Sequence, residues 1–393
     1  MTADPVPVFR QTSTLIVAVI AAATVAALPT VRGQERVPEL TPGSRQKLDA
    51  VIGAERERLK IPGLGVAIAL NGRLAYVKSS GFADLENRLP VDDESRFRTA
   101  SLAKPITATA VMQLVERGAI DLDAPIQRYC PAYPEKPWPV TARQLLGHLA
   151  GIRHYARPGE STGTQHYFTI EDSLALFKKD PLLHEPGTKY EYSTFGFSIL
   201  GCAVEGASKM PLAAYLQANV FDKAGMTHTA VDDVYQIVPK RVRGYLLLSA
   251  ADLKQLPPAA QAIARPDTVY NTALHDTSMK LPGGGYVSTP SDYVRFVLAL
   301  LDHTLVNEST LEAMWTSQKT RDGVATDYGF GFGVQMRKDG KNVSHSGNQA
   351  GASSLTRISP ARRAALVIMT NLEDAPLGQI ANQLAPIVLG PAR

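Results

Sequence analysis

Features that would divide the chain or assign it to a metal- or nucleic-acid-binding class are missing from the sequence. No Gly/Ser linker, charge run, low-complexity stretch or repeat interrupts the 393 residues, which indicates one compact unit. The 41 basic and 37 acidic residues are scattered without a basic aromatic cluster, so no nucleic-acid partner is predicted. The 8 histidines show no HExxH or other metal-ligand spacing, which excludes a zinc site, and no motif predicts a cofactor.

Cysteine is also scarce. Cys202 lies in the apolar run FSILGCAVEGA and Cys130 in RYCPAYP. We expect both to be buried free thiols that act as small hydrophobic side chains. An oxidising compartment would permit a disulfide, but the sequence does not show that the two Cα atoms are close.

Residues 1–33 differ from the rest of the chain. Arg10 precedes an uncharged apolar run at 15–28 (LIVAVIAAATVAAL), which is short for a membrane span. It resembles the core of a signal peptide, with small residues before a cleavage point ahead of Gln34. The segment is therefore predicted to be a signal peptide, or alternatively an uncleaved N-terminal membrane anchor. Either would export the protein to the periplasm or the exterior.

The remaining chain, 40–393, is predicted to form a single α+β domain. Residues 44–60 have helical spacing of Leu48, Val51 and Ile52. Asn71-Gly72 between two β-rich runs predicts a hairpin, and Ser359-Pro360 turns another near the C-terminus. Residues 100–320 are mostly helical patterns. We therefore predict an antiparallel sheet formed by both chain ends and flanked by helices, with a mainly helical lobe inserted between them.

The first candidate catalytic motif is Ser101-Leu102-Ala103-Lys104. On a helix this spacing puts a nucleophilic serine and a basic amine on one face, and Pro105 fits the first turn of that helix. The helix start and burial should lower the pKa of Lys104. The pattern alone is weak, because Ser44-Arg45-Gln46-Lys47 also matches it. Ser44 is there interpreted as a helix N-cap, with its lysine on an exposed face.

Two further motifs supply candidate partners. Tyr192 precedes a predicted helix and could relay protons if a nearby ammonium depressed its pKa, although a buried core tyrosine is the ordinary interpretation. His345 lies on a predicted strand, and Gly347 would let a substrate approach the backbone closely. The backbone N–H just beyond, at Asn348, could pair with that of Ser101 as an oxyanion hole.

The order Ser-x-x-Lys, Tyr-x-Thr, His-x-Gly resembles the serine β-lactamase and penicillin-binding-protein superfamily, on its class C side. The similarity spans about residues 45–375 and is strongest to the mitochondrial serine β-lactamase-like proteins and their bacterial relatives. It is carried by five ordered blocks: FRTASLAKPITATAVMQLVERGAIDLDAPIQRY, LLGHLAGIRHY, YSTFGFSILG, LPGGGYVST and HSGNQAGASS.

The resemblance implies a β-lactamase/transpeptidase-like fold and a role for each motif residue. Ser101 would be the acylated nucleophile, Lys104 its base and Tyr192 a proton relay. His345 would face the leaving group or the substrate's polar end. Ser101 and Asn348 would supply the oxyanion N–H groups.

Two departures from the family pattern bear on the substrate. Thr194 stands where penicillin-degrading members usually have Asn, and would shorten a contact to a substrate amide. His345 replaces the lysine that normally holds the antibiotic carboxylate, and a mostly neutral imidazole binds an anion weakly. The prediction is a serine peptidase or esterase acting on a small peptide, ester or amide. The alternatives are a β-lactamase or D-Ala-D-Ala carboxypeptidase acting on cell-wall peptides, and a non-catalytic sensor domain.

Overall fold

A computed structural model describes residues 40–338 and 340–389, which belong to one compact unit, Glu39–Arg393. The segment predicted to be a signal peptide or anchor, residues 1–33, lies outside the described residues. Within the described part of the chain, no helix is both long enough and apolar enough to cross a membrane.

Most strands lie near the two ends of the described chain and most helices lie between them, in the α+β pattern that the sequence predicts. The strands are β1 (Gly63–Leu70), β2 (Arg73–Asp84), β3 (Leu89–Pro90), β4 (Phe97–Arg98), β5 (Ala230–Val231), β6 (Tyr245–Leu248), β7 (Thr268–Asn271), β8 (Tyr286–Ser288), β9 (Gly333–Arg337), β10 (Gly340–Gln349), β11 (Ala352–Ser359) and β12 (Ala364–Thr370). The helices are α1 (Pro42–Arg58), α2 (Ala103–Glu116), α3 (Ala142–Leu146), α4 (Ile170–Leu174), α5 (Thr194–Ser208), α6 (Leu212–Leu216), α7 (Asp222–Ala224), α8 (Ala250–Gln255), α9 (Pro258–Gln261), α10 (Leu281–Gly284), α11 (Pro290–Leu301), α12 (Glu308–Met314) and α13 (Leu377–Leu389).

The main sheet is antiparallel and contains strands from both ends of the chain. Its order is β3-β2-β1-β12-β11-β10-β9, so β1 pairs with β12 and joins the two ends. The β1–β2 hairpin turns at Asn71 and Gly72, whose φ angles of 53° and 77° are those a tight primed turn requires. The predicted fold class, a sheet built by both ends with helices around it, is confirmed.

One face of the sheet is covered by the terminal helices α1 and α13. Leu48 and Ile52 of α1 are fully buried in the core between these helices and the sheet. The helix begins earlier than predicted, because Thr41 rather than Ser44 is its N-cap. The Thr41 hydroxyl accepts the Ser44 N–H at 3.1 Å, and Pro42 in the first turn pre-sets the helical φ.

The helical lobe lies on the other face, and α2 is at its centre. Every residue of α2 from Ala103 to Leu114 is buried, mainly against α5 and α10. Polar side chains on such a helix need partners inside the protein. The Thr107 hydroxyl, for example, donates to the Pro282 carbonyl at 2.6 Å. Lys104, the second residue of α2, is in the same buried environment.

The expectation of two free thiols is wrong, because Cys130 and Cys202 form a disulfide. Their Cα atoms are 5.4 Å apart although 72 residues separate them in sequence. The cause is the close packing of α5 against the loop that carries Cys130. A Cβ added to Gly206 of α5 would lie 1.8 Å from the Tyr129 carbonyl oxygen, so only glycine allows this approach.

Candidate active site

Ser101 lies in a short 3-10 turn, Ala100–Leu102, that runs directly into α2. Ala100 has a φ of 45°, in the left-handed region that residues with a Cβ rarely adopt, and such strained positions cluster at functional sites. Pro105 occupies the first turn of α2, as the sequence predicts. The Ser101 side chain is half-buried and lines a cavity. The turn thereby presents its hydroxyl at a fixed position.

Lys104 brings a buried amine to that hydroxyl. Its Nζ is 2.9 Å from Ser101 Oγ, 3.0 Å from Thr194 Oγ1 and 2.9 Å from the Gly283 carbonyl oxygen. Burial, and after it the charge of Lys280, holds the pKa of Lys104 well below its ordinary value. An uncharged amine has two N–H bonds and one lone pair. It can therefore donate hydrogen bonds to Thr194 and Gly283 while its lone pair accepts one from the Ser101 hydroxyl.

Tyr192 stands just before α5, next to both groups. The Lys104 amine lies 4.8 Å from the centre of its ring, and Tyr192 lines the same cavity as Ser101. The expected fall in the pKa of this phenol does not occur. Burial raises that pKa, and the hydrogen bond with Ser101 only partly offsets the rise. Tyr192 is therefore a protonated hydroxyl that can pass a proton on, not a phenolate.

His345 lies on β10, beside the cavity, and both of its ring nitrogens have partners. The Tyr328 hydroxyl is 2.9 Å from Nε2, and Nδ1 is 2.7 Å from the Ser346 carbonyl oxygen. Because the carbonyl can only accept, Nδ1 carries the proton and Tyr328 donates to Nε2. Burial, followed by the charge of Lys104, lowers the pKa of His345 to about 3. The imidazole is neutral at physiological pH and offers no charge to a substrate.

Gly347 passes behind the nucleophile. A Cβ added there would lie 2.5 Å from Ser354 Oγ and 2.7 Å from the Ser101 backbone nitrogen, so the strand can reach Ser101 only with glycine. The side chain of its neighbour Asn348 donates a hydrogen bond to Asp374 and accepts one from the Ser353 hydroxyl at 3.1 Å.

The direction of the Asn348 backbone N–H follows from the strand pairing. β10 and β11 are joined by a two-residue turn closed by the hydrogen-bonded pair Gln349–Ala352. Along an antiparallel ladder, hydrogen-bonded pairs alternate with pairs that are not hydrogen-bonded. Asn348, paired with Ser353, is of the second kind, so its N–H points away from β11. On that side β9 pairs with β10 only as far as Ser344. The Asn348 N–H is thus left on the open edge of β10, where Ser101 lies.

Thr194 lies against Lys104. It is the first residue of α5 and is buried, and its hydroxyl is directed at Lys104 rather than into the cavity. Its backbone N–H donates to His154 Nδ1 at 3.3 Å. The contact of the Thr194 hydroxyl orients the Lys104 amine, and the contact of Thr194 with a substrate amide stays a prediction.

The cavity at Ser101 has a volume of about 390 Å³. No lysine, arginine, aspartate or glutamate is among the described side chains that line it. The pKa of His154 is lowered to about 4 by burial and then by Lys104, so the second lining imidazole is also neutral. The lining residues are Ser101, His154, Tyr192, Tyr328, Gly333, Ser344, His345, Ser346 and Asn348.

Sequence reasoning missed several residues of this site. The ring of His148 lies 4.4 Å from that of Tyr192 and 4.7 Å from that of Tyr328, and its Nδ1 accepts the Ser193 N–H at 3.1 Å. His148 and His154 both lie in the block LLGHLAGIRHY, one of the five that carry the family resemblance. The resemblance singled out this block but implied no role for either histidine. Tyr328 and Lys280 have no motif of their own.

The fold together with the Ser101–Lys104 pair defines the β-lactamase/transpeptidase-like class of serine hydrolases. Within that class the chain belongs to the beta-lactamase family, whose model matches residues 48–388. The predicted superfamily is thereby confirmed.

Three individual proteins illustrate the similarity. The chain is 26% identical to the mouse (Mus musculus) serine beta-lactamase-like protein LACTB, mitochondrial, over 84% of this chain and 74% of that protein. It is 34% identical to esterase EstB of Burkholderia gladioli over 46% of this chain and 50% of that protein. Among solved structures, a D-amino acid amidase from Ochrobactrum anthropi SV3 has a TM-score of 0.72 at 25% identity, covering 88% and 97% of the two chains.

Proposed function

We propose that this protein hydrolyses small uncharged esters or amides, including peptide bonds, through an acyl-enzyme on Ser101. The single observation that carries the proposal is the 2.9 Å contact between Ser101 Oγ and the buried Lys104 amine, whose pKa is lowered. A serine hydroxyl becomes a useful nucleophile when a base of this kind lies within hydrogen-bonding reach.

The residues divide the reaction between them. Lys104 takes the proton of the Ser101 hydroxyl as Oγ bonds to the substrate carbonyl carbon. The resulting oxyanion accepts hydrogen bonds from the backbone N–H groups of Ser101 and Asn348. Tyr192 passes the proton from the Lys104 ammonium to the leaving alcohol or amine, whose bond to the carbonyl carbon breaks. Water then attacks the carbonyl carbon of the acyl-enzyme and gives up its proton to the same groups. The bond to Ser101 Oγ breaks, Oγ takes up a proton, and the acid is released.

The uncharged cavity favours neutral substrates. A β-lactam antibiotic or a D-Ala-D-Ala peptide presents a carboxylate, and none of the described side chains that line the cavity is a cation. His345, neutral and bonded to Tyr328 and Ser346, cannot replace the missing lysine. The name of the EstB relative supports an ester substrate, and that of the structurally similar amidase supports an amide.

Two other functions fit the same scaffold less well. A β-lactamase or cell-wall carboxypeptidase is the second candidate, supported by the similarity to penicillin-binding protein 4* of Bacillus subtilis. A non-catalytic sensor is the third, although it would have no use for the lowered pKa of Lys104. Export to the periplasm or the exterior, by a cleaved or an anchoring N-terminal segment, is part of the proposal.

Intact-mass spectrometry with a serine-directed phosphonate and a panel of ester, amide and lactam probes tests the proposal. We expect one phosphonate per chain and acyl adducts with esters or amides. Ser101→Ala should abolish both, whereas Ser44→Ala, which removes the other Ser-x-x-Lys serine, should leave both intact.

Each alternative has its own signature in that experiment. Fast turnover of a chromogenic cephalosporin would favour the β-lactamase function. A stoichiometric adduct with no later turnover of any probe would favour the sensor. Labelling that survives Ser101→Ala would refute the nucleophile.

A further inference from the structure

A second buried lysine, Lys280, belongs to the segment that holds Lys104. It ends a 3-10 turn, Ser278–Lys280, and α10 follows directly. The Gly283 carbonyl of α10 accepts from the Lys104 amine at 2.9 Å. This short segment therefore carries Lys280 and also fixes the amine of Lys104. A substitution of Lys280 can affect Lys104 through the lost charge and through a shift of the segment's backbone.

The Lys280 ammonium is anchored without an acid of its own. It donates to the Ser161 carbonyl at 2.9 Å and lies 5.9 Å from the centre of the Tyr155 ring. None of the ion pairs in the described part of the chain includes Lys280. Its charge is therefore not cancelled by a contacting carboxylate, although the side chain is 97% buried.

Asp232, one of the two acids whose charge acts on Lys280, is already engaged. Asp232 lies between Arg98 at 2.7 Å and Arg241 at 3.2 Å, so its single charge faces two guanidinium groups. Besides Lys104, the charged or titratable groups that face Lys280 are Arg98, His154, Tyr155, Asp232, His275 and Glu373. Those that face Lys104 are Ser101, His148, His154, Tyr192, Lys280 and His345.

We propose that Lys280 is a positioning residue that keeps the Lys104 amine unprotonated, by the charge it holds in the protein interior. The proposal rests on the function proposed above. Burial, followed by the charge of Arg98, lowers the pKa of Lys280 to about 8, so most of its charge is present at neutral pH. That charge is, after burial, the second cause of the lowered pKa of Lys104. Lys280 thus acts through the general base and does not touch the substrate.

The test is the pH dependence of the second-order rate of phosphonate labelling at Ser101, measured on the full chain. Labelling requires uncharged Lys104, so the rate rises with pH through the pKa of Lys104. Without the Lys280 charge that pKa is higher. Lys280→Met and Lys280→Gln should therefore move the rising limb to higher pH by roughly one unit. Lys280→Arg, which keeps the charge, should move it back towards the wild-type midpoint.

Lys136 provides a matched control. Lys136 is only partly buried, but like Lys280 it donates to backbone carbonyls, those of Lys178 and Asp180 at 2.7 Å, and lies near a tyrosine ring, 5.3 Å from the centre of that of Tyr133. Lys136→Met should leave the midpoint unchanged.

The proposal is overturned if folded Lys280→Met or Lys280→Gln loses rate equally at all pH values with an unmoved midpoint, since that is a purely structural effect. An equal shift in Lys136→Met, or failure of both neutral Lys280 variants to fold, would overturn it too. Absence of labelling in the wild-type chain would instead contradict the proposed function.

Discussion

At the scale of single residues, the site is defined by bases whose pKa burial lowers. Burial is the largest cause of the lowered pKa of Lys104, His154 and His345, and the charge of Lys104 lowers the pKa of both imidazoles further. The nucleophile thereby obtains an amine that loses its proton more easily than an ordinary lysine, while the substrate meets hydroxyls, amides and neutral rings.

Gly347 gives a prediction at this scale. Gly347→Ala places a methyl group 2.7 Å from the Ser101 nitrogen, which must push the nucleophile turn or β10 out of position. We expect the rate of phosphonate labelling at Ser101 to fall by about 100-fold, the usual effect of losing an oxyanion donor, with the fold retained. Gly53→Ala, with no atom within 4 Å of the new methyl, is the control. A Gly347→Ala rate within a factor of two of wild type would contradict the proposed oxyanion hole.

At the scale of elements, the site depends on three chain segments that meet around Ser101 and Lys104. The turn before α2 brings Ser101 and Lys104, the start of α5 brings Thr194 against Lys104, and β10 passes behind Ser101. α5 is in turn tied by the disulfide at Cys202 to the loop that carries Cys130.

The disulfide gives the prediction for this scale. A bridge that closes a loop of 72 residues restricts the unfolded chain strongly. The double substitution Cys130→Ser, Cys202→Ser should lower the free energy of unfolding by about 2–4 kcal/mol, measured by urea denaturation. Reductant should destabilise the wild-type chain by a similar amount and leave the double variant unaffected. A wild-type transition insensitive to reductant would show that the bridge does not form.

At the scale of the whole molecule, the sheet that joins both chain ends was predictable and so was the position of the lobe. The hairpin signal at Asn71-Gly72 and the β-rich C-terminal runs identify the strands, and the resemblance orders them. The motifs at Ser101, Tyr192 and His345 could be read from sequence because each contains a reactive side chain at a recognisable spacing.

The remaining site residues could not be predicted, for physical reasons. Tyr328 and His148 act through packing between segments that no local pattern connects. The direction of Thr194 depends on how the start of α5 faces α2. The pairing of Cys130 with Cys202 follows from a close approach at Gly206, and the charge effect of Lys280 follows from burial. Each is a property of the assembled interior.

The central claim, a lowered pKa of Lys104 beside Ser101, can be measured directly. Lysine labelled with ¹³C at Cε reports the protonation of each amine by NMR, and the spectrum of Lys104→Met assigns the signal. The account predicts that the Lys104 signal changes from the ammonium to the amine position at a pH well below that of the other lysines. A Lys104 signal that changes at the same pH as those of the exposed lysines would contradict it.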